Sequence, residues 1–246
     1  MPASRIHPAH LLLAAALAGA VLPVYAQTCM AKSGAQAAPV VELYTSEGCN
    51  SCPPADRWLS ALKADPSTVA LAFHVDYWDS LGWKDRFASA ANTQRQTRQQ
   101  AVNGSRYNYT PQVVVNGMDR KDWARIPALP TRDAANVQIS LMRSGAQVTA
   151  AVQSSAGNRL AAYWAVTEDG HSTAVKAGEN AGVLLKHDHL VREWHVVPDW
   201  TTSAGVPTTL QFRSSTAVDP AHPQQVNLVV VNADTGRPVQ ALKLGC

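Results

Sequence analysis

Two cysteines stand two residues apart in SEGCNSCPPADRW, residues 46–58. A C-x-x-C pair has three chemical uses: a redox couple, half of a metal site, or a local staple. Zinc takes about four ligands, and the sequence offers no second C-x-x-C and no histidine pair at finger spacing. Copper held by the thiolates of Cys49 and Cys52 with His74 is a third-rank alternative. For redox work the spacing is apt. The partial positive charge at a helix N-terminus favours a thiolate on Cys49, and Cys52 is near enough to resolve a mixed disulfide. In that scheme Cys49 is the exposed attacking sulfur and Cys52 the more buried one. Glu47 opposes a Cys49 thiolate if it points inward.

The flanking segments decide how such a pair would be held. PVVELYTS before it is nearly continuously apolar, as in a strand covered on both faces. PPADRWLSALKAD after it has Trp58, Leu59 and Leu62 at helical spacing, with proline where the first turn tolerates it. The double proline disfavours α geometry at Cys52, which points to a helix starting slightly late. TVALAFHVDYW is a second buried-type strand, so the order strand, helix, strand implies a parallel pair. KDRFASAANTQRQTRQQAVNG is helix-compatible with a thin apolar face, which suggests a surface helix ending at Asn103-Gly104. YTPQVVVNG places Pro111 at a strand start and an Asn116-Gly117 hairpin turn at its end.

This order of elements resembles the thioredoxin fold over about residues 38–125. The wider pattern of ELYTSEGCNSCPPADRWLS, HVDYWDSLGWKDRF, YTPQVVVNG and GENAGVLLKHDHLVR is similar to a bacterial secreted thioredoxin-like family catalogued as a domain of unknown function. The resemblance implies a cis Thr110–Pro111 peptide beside Cys49 and Cys52, with Thr110 offering backbone pairing to an extended peptide. Asn50 and Ser51 between the cysteines match neither the Gly-Pro of reducing thioredoxins nor the Pro-His of strong periplasmic oxidants.

Supporting residues carry two readings each. Asp76, on the side of the second strand that carries His74, is either a proton acceptor for Cys52 or a cap on the following turn. Trp78 and Trp83 either wall a peptide groove or pack their loop onto the core. Glu179, Asn180, His187, His189 and Arg192 concentrate polar character in the second half, and His187 and His189 are either two metal ligands or part of a solvated strand face. Cys29 and Cys246, left over at the two ends, read as a structural disulfide, with an electron relay to Cys49–Cys52 as the alternative.

The bulk properties set the compartment. The 246-residue chain opens with Arg5, a short apolar run over 11–22 and a small residue at Ala26. That is the layout of a cleaved secretory signal, which leaves all four cysteines in an exported, oxidising setting. Its removal takes one arginine and no acid, so the formal charge goes from +3 to +2. Such a balance gives no reason to expect nucleic acid, and no later segment is apolar enough for stable membrane insertion.

The resulting expectation is an α/β thioredoxin-like domain followed by an antiparallel β-rich, sandwich-like domain. Its parts are a signal peptide (1–26), a flexible lead-in (27–38), the first domain (39–127) and a C-terminal domain (128–246). The expected activity is thiol–disulfide exchange in the periplasm or outside the cell. Cys49 and Cys52 act, and Thr110, Pro111 and Trp78 form the groove. The partners are exported protein thiols, small thiols or a membrane redox protein. The redox-active disulfide is the only cofactor, with no metal. The competing class is a binding module in which Cys49–Cys52 is a permanent staple.

Overall fold

The computed structural model describes residues 29–126, 129 and 133–246. The expected signal peptide lies outside the described residues. Strands dominate: β1 (Cys29–Lys32), β2 (Val40–Thr45), β3 (Val69–His74), β4 (Gln112–Val115), β5 (Met118–Asp119), β6 (Val137–Ser144) and β7 (Gln147–Ser154) form the first group. β8 (Arg159–Glu168), β9 (His171–Ala174), β10 (Leu184–His187), β11 (Leu190–Thr201), β12 (Thr208–Arg213), β13 (Gln224–Asn232) and β14 (Pro238–Leu244) follow. Two α-helices, α1 (Pro53–Ala61) and α2 (Ala90–Asn103), and three short 3-10 helices are the other regular elements of the described residues.

An eight-stranded mixed sheet runs β14-β13-β8-β11-β3-β2-β4-β5, and a four-stranded sheet runs β1-β6-β7-β12. β2 and β3 are parallel, and β11 joins β3 in parallel at Leu190 and Ala72. This corrects the expected fold class. The molecule is mostly β-sheet, and strands from both halves of the chain share one sheet, so it is not an α/β thioredoxin-like domain followed by a sandwich. The physical reason lies in β8 and β13. Ala162 to Glu168 and Val226 to Val230 are buried almost without a break, so both faces of these strands are covered. Such strands belong inside a large sheet. β6 and β7 do alternate, burying Val137, Ile139 and Leu141 against Val148, Ala150 and Val152 in the core between the two sheets.

α2 departs from expectation in a second way. Ser89 caps it by accepting from the Asn92 N–H, and Gly104 ends it in a left-handed conformation. Yet its buried residues are polar: Asn92, Arg95, Gln96 and Asn103. Each of the first three is matched from the sheet side. Asn92 donates to the His74 carbonyl and accepts from Trp194 Nε1. Gln96 donates to the Tyr109 carbonyl and Gln112 Oε1. Arg95 donates to Glu42, which also accepts from the Tyr163 hydroxyl. The Arg95 guanidinium lies over the rings of Phe73, Tyr163 and Trp194. The helix is a buried polar strut, which an apolar-face criterion cannot detect.

A disulfide joins Cys29 to Cys246, 217 residues apart. It ties β1 to the chain end beyond β14. Because Arg95 and Glu42 are both buried, Arg95→Ala leaves an uncompensated carboxylate under α2. A loss of about 3–5 kcal/mol in unfolding free energy is expected, measurable by urea denaturation. A loss below about 1 kcal/mol would show that the pair does not hold the helix.

Candidate functional site

β2 ends at Thr45, and the chain then turns through the cysteine loop into α1. The Cys49 N–H donates to the Ser46 carbonyl, the Cys52 N–H donates to the Cys49 carbonyl, and the Gly48 N–H donates to Ser46 Oγ. Cys49 and Cys52 form a disulfide with Cα atoms 5.4 Å apart. Cys52 is the N-cap of α1 and has helical dihedrals despite the following prolines, so the helix starts without delay. Its carbonyl accepts from the N–H groups of Ala55 and Asp56.

Both sulfur residues have 0% exposure, which corrects the expectation that Cys49 is the exposed one. A two-stranded hairpin, β9–β10, packs its loop over 175–183 against the backbone of the cysteine turn. Asn180 Nδ2 donates to the carbonyls of Glu47 (2.8 Å) and Cys49 (3.0 Å). Glu179 Oε2 accepts from the Asn50 N–H at 3.2 Å. Gly178 lies against Gly82 and Trp83, where a Cβ on Gly178 would sit 3.1 Å from the Trp83 Cβ. The sequence flagged Glu179 and Asn180 as polar. Their place over a loop some 130 residues earlier had no local signal.

A buried ionisable cluster lies at the base of the same loop. Glu47 points inward: its carboxylate meets His187 Nε2 (3.1 Å) and accepts from Trp83 Nε1 (2.8 Å). The Glu47 N–H donates to Asp85 Oδ2, which is also 2.6 Å from His74 Nδ1. The His74 and His187 rings meet edge-on with centroids 5.0 Å apart, and both touch Phe87. Burial pushes Glu47 up, but its bonds from His187 and Trp83 outweigh that and leave its pKa below the ordinary value. Burial likewise opposes Asp85 ionisation. The His74 imidazole and the N–H groups of Glu47 and Phe87 prevail and bring Asp85 to about 2. For His74, burial alone would lower the pKa, and the Asp85 carboxylate raises it instead. Asp56, one turn along α1 from Cys52, is raised by burial, partly offset by the charges of His74 and His187.

The other expected site residues are distributed as follows. Trp78 Nε1 donates to Thr110 Oγ1 at 2.8 Å, and a Cβ on Gly48 would lie 3.1 Å from the Trp78 Cβ. The Thr110–Pro111 peptide is cis and leads into β4, whose Gln112 pairs with Tyr44. Trp78, Thr110 and Pro111 are therefore at the same end of the sheet as the cysteine loop. Asp76 is committed elsewhere: its carboxylate accepts from Thr93 Oγ1 and its N–H donates to the same oxygen. The carboxylates at the cysteine loop are Glu47, Asp85, Asp56 and, from the hairpin, Glu179. His187 and His189 do not act together. His189 sits in a positive-φ turn, and its N–H donates to Asp169 Oδ1. Arg192 pairs with Glu168 at 3.3 Å. Among the described residues no group of three or more His, Cys, Asp or Glu is arranged to hold a metal ion.

Fold and site together define a β-rich protein with a covered C-x-x-C disulfide set over buried carboxylate–imidazole pairs. The chain belongs to the family described as "Protein of unknown function (DUF1223)", whose profile matches residues 40–232. It is similar to a protein of Agrobacterium tumefaciens whose X-ray crystal structure was a structural-genomics target. That match has 32% identity and a TM-score of 0.61, and covers 84% of this chain and 93% of the other. It also resembles HBP35 of Porphyromonas gingivalis, with 14% identity and a TM-score of 0.56 over 86% of this chain and 76% of that one, a likeness of fold alone. No curated protein matches the chain. Among the described residues no helix is long and apolar enough to cross a membrane, and the Cys29–Cys246 bridge fits an oxidising compartment.

Asp85 gives the cluster a signature in acid. Its folded pKa of about 2 lies below its ordinary value of 3.8, so its contribution is complete above about pH 4 and is lost as pH falls toward 2. An acid-limb loss of about 2 kcal/mol is expected between those limits, and Asp85→Asn should flatten that limb in urea titrations at graded pH. An unchanged limb in the variant would mean that Asp85 is not the titrating group.

Proposed function

We propose that this is an exported thiol–disulfide exchange protein in which Cys49–Cys52 is the working pair. The partners are exported protein thiols, small thiols or a membrane redox protein. The observation that carries the reading is the company the disulfide keeps. A staple explains two cysteines but not an inward Glu47 in their own loop, Asp85 behind it, two histidines, and Asp56 one turn beyond Cys52. Burying charged groups costs several kcal/mol per ion before their mutual attraction repays it, so a purely structural loop gains little from them. A site that must take up and release protons as sulfur changes state has a use for them.

The exchange balances without a dissociable cofactor. A substrate thiolate attacks Cys49 Sγ, the Cys49–Cys52 bond breaks, and Cys52 leaves as a thiolate that takes a proton. A second substrate thiolate attacks the mixed disulfide and releases Cys49. Two electrons pass from substrate to protein, and the substrate leaves as a disulfide. The reverse sequence reduces a substrate disulfide. Thr110, Pro111 and Trp78 form the groove wall in this reading.

A second reading is supported by the complete burial of both cysteines: a binding module with a fixed local disulfide. A Cys52→Ser variant separates the two. Incubated with oxidised glutathione, it is expected to capture glutathione at Cys49, visible by intact mass and peptide mapping. If Cys49 stays free while the folded protein is intact, exchange is excluded and the binding module takes its place.

A further inference from the structure

We propose that the β9–β10 hairpin is a displaceable cap that holds the exchange site shut, with Asn180 as its principal latch. This inference rests on the exchange reading above and adds the control of access to the same disulfide.

The topology sets the hairpin apart. Glu168, the last residue of β8, is paired directly with Leu190, the first of β11. Residues 169–189 therefore leave the large sheet and return to it between two adjacent paired positions. The excursion makes its own two-stranded sheet, Leu184 to His187 against His171 to Ala174. A two-stranded ribbon is at best marginally stable by itself, so its position depends on what it touches. Its loop is braced internally by the Val175 N–H to the Val183 carbonyl and the Gly182 N–H to the Val175 carbonyl. It can thus move as a unit.

What the loop touches is the cysteine turn. Asn180 is buried, and one amide group spans two backbone carbonyls, those of Glu47 and Cys49, one on each side of Gly48. Glu179 takes the Asn50 N–H, while the rest of its side chain is exposed. Gly82 and Gly178 also pack together, a Cβ on Gly82 being in van der Waals contact with the Gly178 Cα at 3.6 Å. The turn that these contacts hold carries Cys49 and Cys52, both at 0% exposure. In this proposal a thiol reaches the sulfurs when these contacts part. The hairpin base is held differently, by His187 on Glu47 and by the edge-on packing of His171 against Phe87. The tip around Gly178 to Asn180 is thus latched by a few hydrogen bonds, whereas the base, with Val175 and Leu185 buried, is packed inward. A cap hinged at its base and released at its tip follows. A partner that opens it must satisfy the two carbonyls Asn180 gives up, because leaving them unpaired and buried is unfavourable.

The test is the rate at which dithiothreitol reduces Cys49–Cys52 in the intact protein, read by quenched alkylation. Dithiothreitol is oxidised to its cyclic disulfide, and two cysteine thiols appear. Asn180→Ala removes two neutral hydrogen bonds, whose usual net strength corresponds to roughly a tenfold faster reduction through the opened state. Glu179→Ala, on the exposed side, removes one and should accelerate reduction about threefold. The midpoint potential in glutathione buffers should be unmoved by either variant, because the cap closes over both redox states. Amide hydrogen exchange should rise across 175–183 and at Asn50 while Val41 to Leu43 stay protected, which distinguishes release of the cap from general loosening. Wild-type rates in both variants, or a wild-type rate equal to that of the denatured chain, would overturn the cap and leave the exchange reading standing. A wild-type disulfide that resists dithiothreitol in the folded protein and in both variants would overturn both.

Discussion

Glu47 is a carboxylate with 1% exposure inside the turn that carries the disulfide, and the rest of the site follows from the need to match it. An unpaired buried carboxylate is strongly unfavourable. Two segments far apart in the chain meet that requirement. The loop after β3 supplies the Trp83 indole, its continuation supplies Asp85 to receive the Glu47 N–H, and the hairpin supplies His187. Asp85 then needs a cation or donor of its own and finds His74 at the end of β3. One inward-facing acid thus fixes the relative positions of β2, β3, the intervening loop and the cap.

The same logic of matched burial recurs within β2 itself. Glu42 faces α2 and is met by Arg95 and Tyr163, the latter from β8 in the second half of the chain. β2 and the turn that follows it are therefore each tied to distant segments by buried charge-assisted bonds, which are directional and tolerate little displacement. The cysteine loop extends directly from this strand, so its backbone is rigid from below while its upper surface is closed by a few bonds from Asn180 and Glu179. A rigid floor and a lightly fastened roof suit a disulfide that must be positioned accurately but reached only on demand.

The local elements were legible in the sequence. VVELYT and VALAFH read as covered strands, PPADRWLSA as a helix with early prolines, and Asn116-Gly117 as a tight turn, because propensity and turn chemistry act over a few residues. The sheet that unites both halves was not legible. RLAAYWAVTE and QQVNLVVVN show that they are buried but not which strands flank them, and strand pairing is decided by contacts between distant residues. α2 misled for a related reason. Its buried face is Asn92, Arg95 and Gln96, residue types that hydropathy assigns to solvent, and only their partners Trp194, Glu42 and Gln112 reveal the burial. At the site, Cys49 and Cys52 could be named from motif and spacing, and Trp78 and Thr110, which bond to each other, from the aromatic loop and the family resemblance. Asp76 was a reasonable proton acceptor by position on its strand, but Thr93 claims it. Asp56, Asp85 and the clamp of Asn180 carry no motif at all.

The most direct test of the redox claim is an equilibrium titration of the mature protein in graded glutathione buffers, quenched by alkylation and mapped for each cysteine. Reversible titration of Cys49–Cys52 between about −120 and −270 mV, with Cys29–Cys246 closed throughout, is the expected result. A Cys49–Cys52 bond that stays oxidised below about −300 mV, in the range of structural bridges, would contradict it.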